Sequence, residues 1–271
     1  MRFLRPGLLT ILLGLAGAGV VWAEDTAMVT LETADDSRGW DAVGKLALGD
    51  HGFCTGALIA PQLVLTAAHC LYDKETGVQL HPEDIEFQAG FRNGRALAYR
   101  SVIRAVAHPD YRYSAEDKLD RVMSDLALLE LSQPIRLPSL VPFETGATPV
   151  EGDAVGVVSY AQFREEAPSI QESCQVLAGR SDALILTCSV DFGSSGAPVF
   201  TVTEGVARVV SVISAKAEVE GERVALAVPV SGALEALYAA LAASKHGQGV
   251  EVGGVSILSG GNGNGAKFVK P

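Results

Sequence analysis

The sequence predicts an all-β domain, an antiparallel barrel or sandwich. Three observations carry this. About eleven short runs rich in β-branched and apolar residues follow one another from Trp40 onward. Gly, Pro, Asn and Asp separate the runs, and little helical periodicity lies between them. Short strands at close, turn-punctuated spacing are the pattern of barrels and sandwiches. The runs cover 43–48, 55–59, 63–65, 86–89, 98–107, 126–131, 154–158, 183–188, 197–202, 207–213 and 224–228. The exception follows Pro229, where Leu234, Leu237, Tyr238 and Leu241 recur at helical spacing in Ala-rich sequence, with Ser231 placed as an N-cap.

The flanks read differently. Met1 to Arg5 is a short basic segment, residues 8–21 form an apolar stretch broken by Thr10, and Val21-Trp22-Ala23 sets small residues before a cut after Ala23. This is the pattern of a signal peptide, 1–23, and its apolar stretch is short for a membrane span. Residues 24–39 are acidic (Glu24, Asp25, Glu32, Asp35, Asp36) and read as a leader, propeptide or loose N-terminus. Residues 246–271 hold eight glycines in 26 positions and read as a flexible tail. That leaves 40–245 as the folded domain, in a protein expected to be soluble and secreted or periplasmic, with no membrane anchor after signal cleavage.

Composition excludes several classes. Of 271 residues, 48% are hydrophobic and 20% charged, as in ordinary globular proteins. The net charge is −11, and loss of Arg2 and Arg5 with the signal takes it to −13. An acidic chain without a Lys/Arg run is a poor nucleic-acid partner and has no polybasic membrane anchor. Four cysteines are compatible with two disulfides or a zinc site. An oxidising compartment favours disulfides, and the spacing lacks the close Cys/His pairs of zinc sites. No metal or cofactor is expected, and nothing signals an oligomer.

Three segments can carry chemistry together: Leu65-Thr-Ala-Ala-His69-Cys70, Ser124-Asp125-Leu-Ala-Leu-Leu, and Asp191-Phe-Gly193-Ser-Ser195-Gly-Ala-Pro. Each alone is commonplace: a surface histidine, a turn aspartate, a plain loop. Jointly they offer what nucleophilic acyl transfer requires. That is a hydroxyl, a base within reach of it, a carboxylate orienting the base, and backbone N–H donors for an oxyanion. The α/β-hydrolase elbow is excluded. Its Gly-x-Ser-x-Gly pattern fails at Ala197, and the one histidine after Ser195 is His246 in the tail.

The chain from about Trp40 to Ser244 resembles the trypsin/chymotrypsin-like serine proteases, in the bacterial branch that includes glutamyl endopeptidases. Phe53 to Cys70 is similar to the histidine block, Ser124-Asp125-Leu-Ala-Leu-Leu to the aspartate block, and Gly193-Ser-Ser195-Gly-Ala-Pro to the nucleophile block. Val212-Ile-Ser214 is similar to the strand that follows. The resemblance implies two six-stranded antiparallel barrels with a C-terminal helix and a cleft between the barrels. It implies a serine endopeptidase acting on protein or peptide substrates. Ser195 would be the nucleophile, His69 the general base and acid, Asp125 its orienter, and the Gly193 and Ser195 N–H groups the oxyanion donors. It also implies disulfides Cys54–Cys70 and Cys174–Cys188.

Departures bear on activation and specificity. Ser194 stands where digestive relatives have an aspartate that pairs with a newly cut N-terminus, and Arg38-Gly39 is the nearest candidate cut. The site is therefore expected to form without cleavage. Ser189 would lie near the base of the specificity pocket, so a preference for Arg/Lys is not supported. Ile213 replaces the histidine of glutamate-cleaving relatives. The wall reads Ser214-Ala215-Lys216, where Lys216 would narrow the pocket, attract an acidic group or simply be a solvated rim lysine. A non-catalytic binding protein on the same scaffold would usually have lost a triad member, and none is lost here.

Overall fold

The structure, a computed structural model, describes residues 25–114 and 118–244. The signal segment 1–23 and the glycine-rich segment 246–271 lie outside the described residues. Every one of the eleven expected runs falls on a strand. Along the first half lie β1 (Val29–Thr30), β2 (Val43–Ala47), β3 (Phe53–Ala60), β4 (Leu63–Thr66), β5 (Glu86–Ala89) and β6 (Ala98–Ala107), then helix α1 (Lys118–Met123) and β7 (Ala127–Leu131). The second half holds β8 (Glu144–Thr145), β9 (Ala154–Ala161), β10 (Arg164–Gly179), β11 (Leu184–Leu186), β12 (Pro198–Thr203), β13 (Val206–Val219), β14 (Glu222–Pro229) and helix α2 (Ala233–Ala243).

Two closed barrels result. Strands β2-β3-β4-β7-β6-β5 close the first, all by antiparallel pairs. The ring β9-β10-β11-β14-β13-β12 closes the second, also antiparallel, and β8 adds a short parallel pairing to β13. Closure leaves no free sheet edge and turns alternate side chains inward to form a core. Val43, Leu46, Leu58, Val64, Leu65, Leu128 and Leu129 fill the first barrel, and Val157, Val176, Leu184, Val199, Val210 and Ala227 the second, all buried. Between them Trp40 meets Phe200 edge-on at 4.9 Å, and Phe143 lies 4.7 Å from the same ring. Such pairs add about 0.5–1.5 kcal/mol each beyond area burial.

Three elements differ from the sequence expectation. Of the acidic stretch 24–39, read as a leader, propeptide or loose N-terminus, the described residues from 25 on are laid in part along the second barrel. Val29 and Thr30 pair with Ile170 and Ser169, Leu31 N–H donates to Pro168 O at 2.8 Å, and Leu31 is buried. Its acidic side chains face solvent while its backbone hydrogen bonds go to β10, so composition understates its order. Strand β10 was not foreseen as a strand because Pro168 and five glutamine and glutamate side chains break its apolar pattern. Its register shifts absorb those residues without ending the strand. Helix α2 appears where expected, but Gly232 (φ 104°), not Ser231, occupies the cap position. The Ser231 hydroxyl instead meets that of Thr148 at 2.5 Å.

Helix α2 also ties the barrels together. Arg104 of β6 donates to the carbonyls of Leu241 and Ser244 at 2.8 and 3.0 Å. A cation at a helix C-terminus satisfies orphan carbonyls and complements the helix dipole. Among the described residues, no helix is long and apolar enough to cross a membrane.

Candidate active site

His69 sits in a single 3-10 turn, Ala68–Leu71, directly after β4. The Cys54–Cys70 disulfide fastens that turn to the start of β3. Asp125 lies between α1 and β7 and is buried. Its Oδ2 is 2.6 Å from His69 Nδ1, and its Oδ1 accepts the His69 backbone N–H at 2.8 Å. The Ser214 hydroxyl donates to Oδ2 as well. Three donors converge on one carboxylate, so imidazole and turn are held as a unit. Beside it, burial first and the Asp125 charge second push the Tyr111 phenol well above its usual range, keeping it neutral.

Ser195 belongs to the loop between β11 and β12, and the Cys174–Cys188 disulfide ties the beginning of that loop to β10. The loop is internally closed by Ser194 N–H to Asp191 O and Ala197 N–H to Ser194 O, both 2.9 Å, and Gly196 N–H reaches Ile213 O at 2.8 Å. Among the described residues, the N–H groups of Gly193 and Ser195 find no internal acceptor, which leaves them for an incoming oxygen. Gly193 and Gly196 both adopt positive φ (95° and 79°). A side chain at Gly193 would overlap Phe53, and one at Gly196 would overlap Thr66 Oγ1 and the Thr55 carbonyl. Glycine is required at both for close approach and for backbone conformation.

Thr55, fully buried in the first barrel, joins the two halves of the site. Its N–H donates to Ser195 O at 2.8 Å, its hydroxyl donates to Gly193 O at 2.9 Å, and that hydroxyl accepts the Tyr160 N–H at 3.1 Å. Thr66 Oγ1 in turn donates to Thr55 O at 2.8 Å. The barrel bearing His69 thus grips the loop bearing Ser195. His69 and Ser195 line one cleft of about 310 Å³ together with Phe192, Ser214, Ala215 and Lys216.

Adjacent to it, a hollow of about 520 Å³ is walled by Cys188–Asp191 on one side and Lys216–Val224 residues of the β13–β14 hairpin on the other. Ser189 lines this hollow, its N–H donating to Gln171 Oε1 at 2.7 Å. Val190, Asp191 and Lys216 line both spaces. Lys216 Nζ bonds Asp191 Oδ1 at 2.8 Å and lies 4.1 Å from the centre of the Phe192 ring. The structure therefore makes Lys216 a paired residue straddling cleft and hollow, with its carboxylate partner already in place. That ammonium first, and the Phe192 N–H next, hold the Asp191 carboxyl below its ordinary value.

Cys54, His69 and Cys70 present ligand-type atoms within 4.8 Å of one another. Both sulfurs are spent on their disulfide, so this cluster has no thiolate to offer a metal.

Residues 54–210, more than half of the chain, match the trypsin-like peptidase domain family. The chain belongs to the trypsin-like peptidase family. Curated relatives include the complement C1r-B subcomponent of Mus musculus, 35% identical over 32% of this chain and 13% of the relative. The trypsin of Phaedon cochleariae is 32% identical over 39% of this chain and 36% of its own length. The chain thus spans about a third or less of the length of these relatives. Among solved structures, a Glu endopeptidase superposes with a TM-score of 0.66 at 16% identity, covering 82% of this chain and all of that one. A thermostable serine protease from an extremophilic microorganism gives 0.60 at 18% identity, covering 75% and 98%. At such identities the structural likeness speaks for the trypsin-like fold alone.

Both expected disulfides are present, and His69, Asp125 and Ser195, far apart in sequence, lie around one cleft. Sequence reading gave no role to Thr55, Asp191 or Arg164. Thr55 stood in plain view inside the histidine block, and its hydroxyl's partners, Gly193 and Tyr160, are far away in sequence. Asp191 was read only as part of the nucleophile segment, and Arg164 fell in the stretch where no strand was foreseen.

Proposed function

We propose that this trypsin-like peptidase chain is a secreted or periplasmic serine endopeptidase that hydrolyses peptide bonds through Ser195, His69 and Asp125. One observation carries the reading. His69 Nδ1 is bonded to the buried Asp125 at 2.6 Å, and the same imidazole shares a cleft with a serine set in a glycine-flanked turn.

The chemistry follows from that arrangement. Ser195 Oγ attacks the scissile carbonyl carbon while His69 Nε2 takes its proton, and Asp125 holds the proton on Nδ1 and stabilises the imidazolium. The carbonyl oxygen, now anionic, accepts hydrogen bonds from Gly193 and Ser195 N–H. Collapse of the tetrahedral adduct expels the amine, which receives the His69 proton. Water, deprotonated by the same imidazole, then attacks the acyl-enzyme and frees Ser195. The residue preceding the scissile bond enters beside Ser214, Ala215 and Lys216, toward Ser189. Residues 40–245 are the proposed catalytic domain, and the paired cysteines suit an oxidising compartment.

Labelling with a fluorophosphonate tests the assignment. Wild-type protein is expected to label at Ser195 and Ser195→Ala not to label, and His69→Ala to label far more slowly than wild type. No labelling of the wild type, or undiminished labelling of Ser195→Ala, overturns it.

A further inference from the structure

One half-buried charged side chain, Arg164, has no part in the chemistry above. Strands β9 and β10 are joined by a two-residue turn, Gln162-Phe163, with Phe163 at φ 68°, and Ala161 pairs with Arg164 across it. A non-glycine residue with positive φ is uncommon and marks a turn held by its surroundings. Here the Gln162 N–H donates to Phe192 O at 2.7 Å, fixing the hairpin tip against the nucleophile loop. The left-handed turn at Phe163 delivers the next side chain, Arg164, underneath that loop.

There both terminal nitrogens of the guanidinium are engaged. Nη1 donates to Ser159 O at 2.7 Å, and Nη2 to Ser159 Oγ at 3.0 Å and Ser194 Oγ at 3.3 Å. Ser194 and Ser159 are both completely buried, and Ser194 Oγ also accepts the Asp191 N–H at 3.3 Å. Burial lowers the guanidinium's proton affinity from its usual value, opposed by the nearby Asp191 charge. Placing a guanidinium here costs desolvation, which its hydrogen bonds and a nearby carboxylate offset. One contact falls on Ser194, the residue between the two proposed oxyanion donors Gly193 and Ser195, and the other two on Ser159, whose hydroxyl lies 3.4 Å from that of Ser194.

We propose that Arg164 is a positioning residue: by holding Ser194 from beneath, it keeps the Gly193 and Ser195 N–H groups set for the oxyanion without an ammonium released by cleavage. The proposal rests on the assignment of Ser195 as nucleophile. Lys216 holds Asp191 at the outer end of the same loop. The loop is thereby braced at both ends by cations that belong to the folded chain.

The test uses the full chain with 4-nitrophenyl acetate, a small ester that needs no specificity pocket, and fluorophosphonate labelling in parallel. Arg164→Ala is expected to slow acylation about a hundredfold, the scale of losing one oxyanion donor, with KM little changed. Guanidinium at non-denaturing concentration is expected to restore part of the rate in Arg164→Ala and to leave Ser195→Ala dead. Ser194→Ala is expected to be slow as well. The double variant Arg164→Ala/Ser194→Ala is expected to be no slower than Arg164→Ala alone, because both changes break one contact. Should Arg164→Ala fail to fold, Arg164→Lys decides. It keeps the charge and loses the fork, and is expected to fold and to acylate slowly. A chain with a blocked N-terminus is expected to acylate at the unblocked rate. Wild-type acylation in Arg164→Ala or Arg164→Lys, or a loss on blocking the N-terminus, overturns the positioning role while leaving the nucleophile assignment intact. Failure of the wild type itself to label overturns both.

Discussion

Replacing Thr55 by valine isolates the link between the two halves of the site. Valine has nearly the shape of threonine, so no cavity forms, and what is lost is one hydroxyl. That hydroxyl donates to Gly193 O at 2.9 Å and accepts Tyr160 N–H at 3.1 Å inside a fully buried environment. Two buried backbone groups are left without a partner, at about 1–3 kcal/mol each, so a combined loss of about 2–6 kcal/mol is expected. For a domain of this size each kcal/mol moves Tm by about 2–4 °C, giving a fall of roughly 4–24 °C. Thermal and urea unfolding followed by circular dichroism measures it, with Thr55→Ser as the control that keeps the hydroxyl. The same substitution frees the Gly193 carbonyl, so fluorophosphonate labelling is expected to slow in Thr55→Val and not in Thr55→Ser. A Thr55→Val protein with wild-type Tm and wild-type labelling rate would refute the argument that this hydroxyl couples the barrel to the loop.

Other expectations rest on separate contacts. Replacing Cys54 and Cys70 together by serine removes a closed loop of 16-residue separation; a loss of about 3 kcal/mol in urea unfolding is expected, with slower labelling because His69 sits inside that loop. Gly196→Ala places a Cβ into Thr66 Oγ1 and the Thr55 carbonyl at positive φ; the folded protein is expected to lose labelling, and an unimpaired variant would show that the loop can shift freely. Lys216→Ala is expected to raise the Asp191 carboxyl toward its ordinary value, read by carbon-detected NMR titration. Because the folded carboxyl is the depressed one, any stability from this pair is present above the unfolded carboxylate's pKa and lost as pH falls through the folded one, so wild type and variant should converge in acid. Profiling a peptide library with the same variant tests whether Lys216 shapes residue preference; an unchanged profile removes it from the specificity wall.

Much of this molecule is legible along the chain because its functional blocks are local. His69 follows a strand and a cysteine pair within one continuous block, Asp125 precedes the apolar run of β7, and Ser195 lies between glycines in a turn. Each block carries its own apolar spacing, and that spacing is a local consequence of facing a barrel interior. The misreadings have one cause in common. Strand β10 and the segment around β1 are polar in composition, yet they are held by backbone pairing, which side-chain pattern does not report. Ser231 fits a cap by residue type, whereas the positive φ at the helix start suits Gly232. Lys216 had three readings in sequence, because its partner Asp191 is brought beside it only when the β13–β14 hairpin packs against the nucleophile loop.

By itself the sequence determined the strand runs, the order of the three chemical blocks and the helix after Pro229. All of these depend on residue type and short spacing. Tertiary structure alone decided which distant groups meet, across the seam between the barrels and within the second barrel. Thr55 gripping the Gly193 carbonyl, Arg164 beneath Ser194 and Lys216 on Asp191 join residues 138, 30 and 25 positions apart. Hydrogen bonds of a few ångströms between such distant residues exist only once both barrels have closed and packed, and no one-dimensional pattern encodes them.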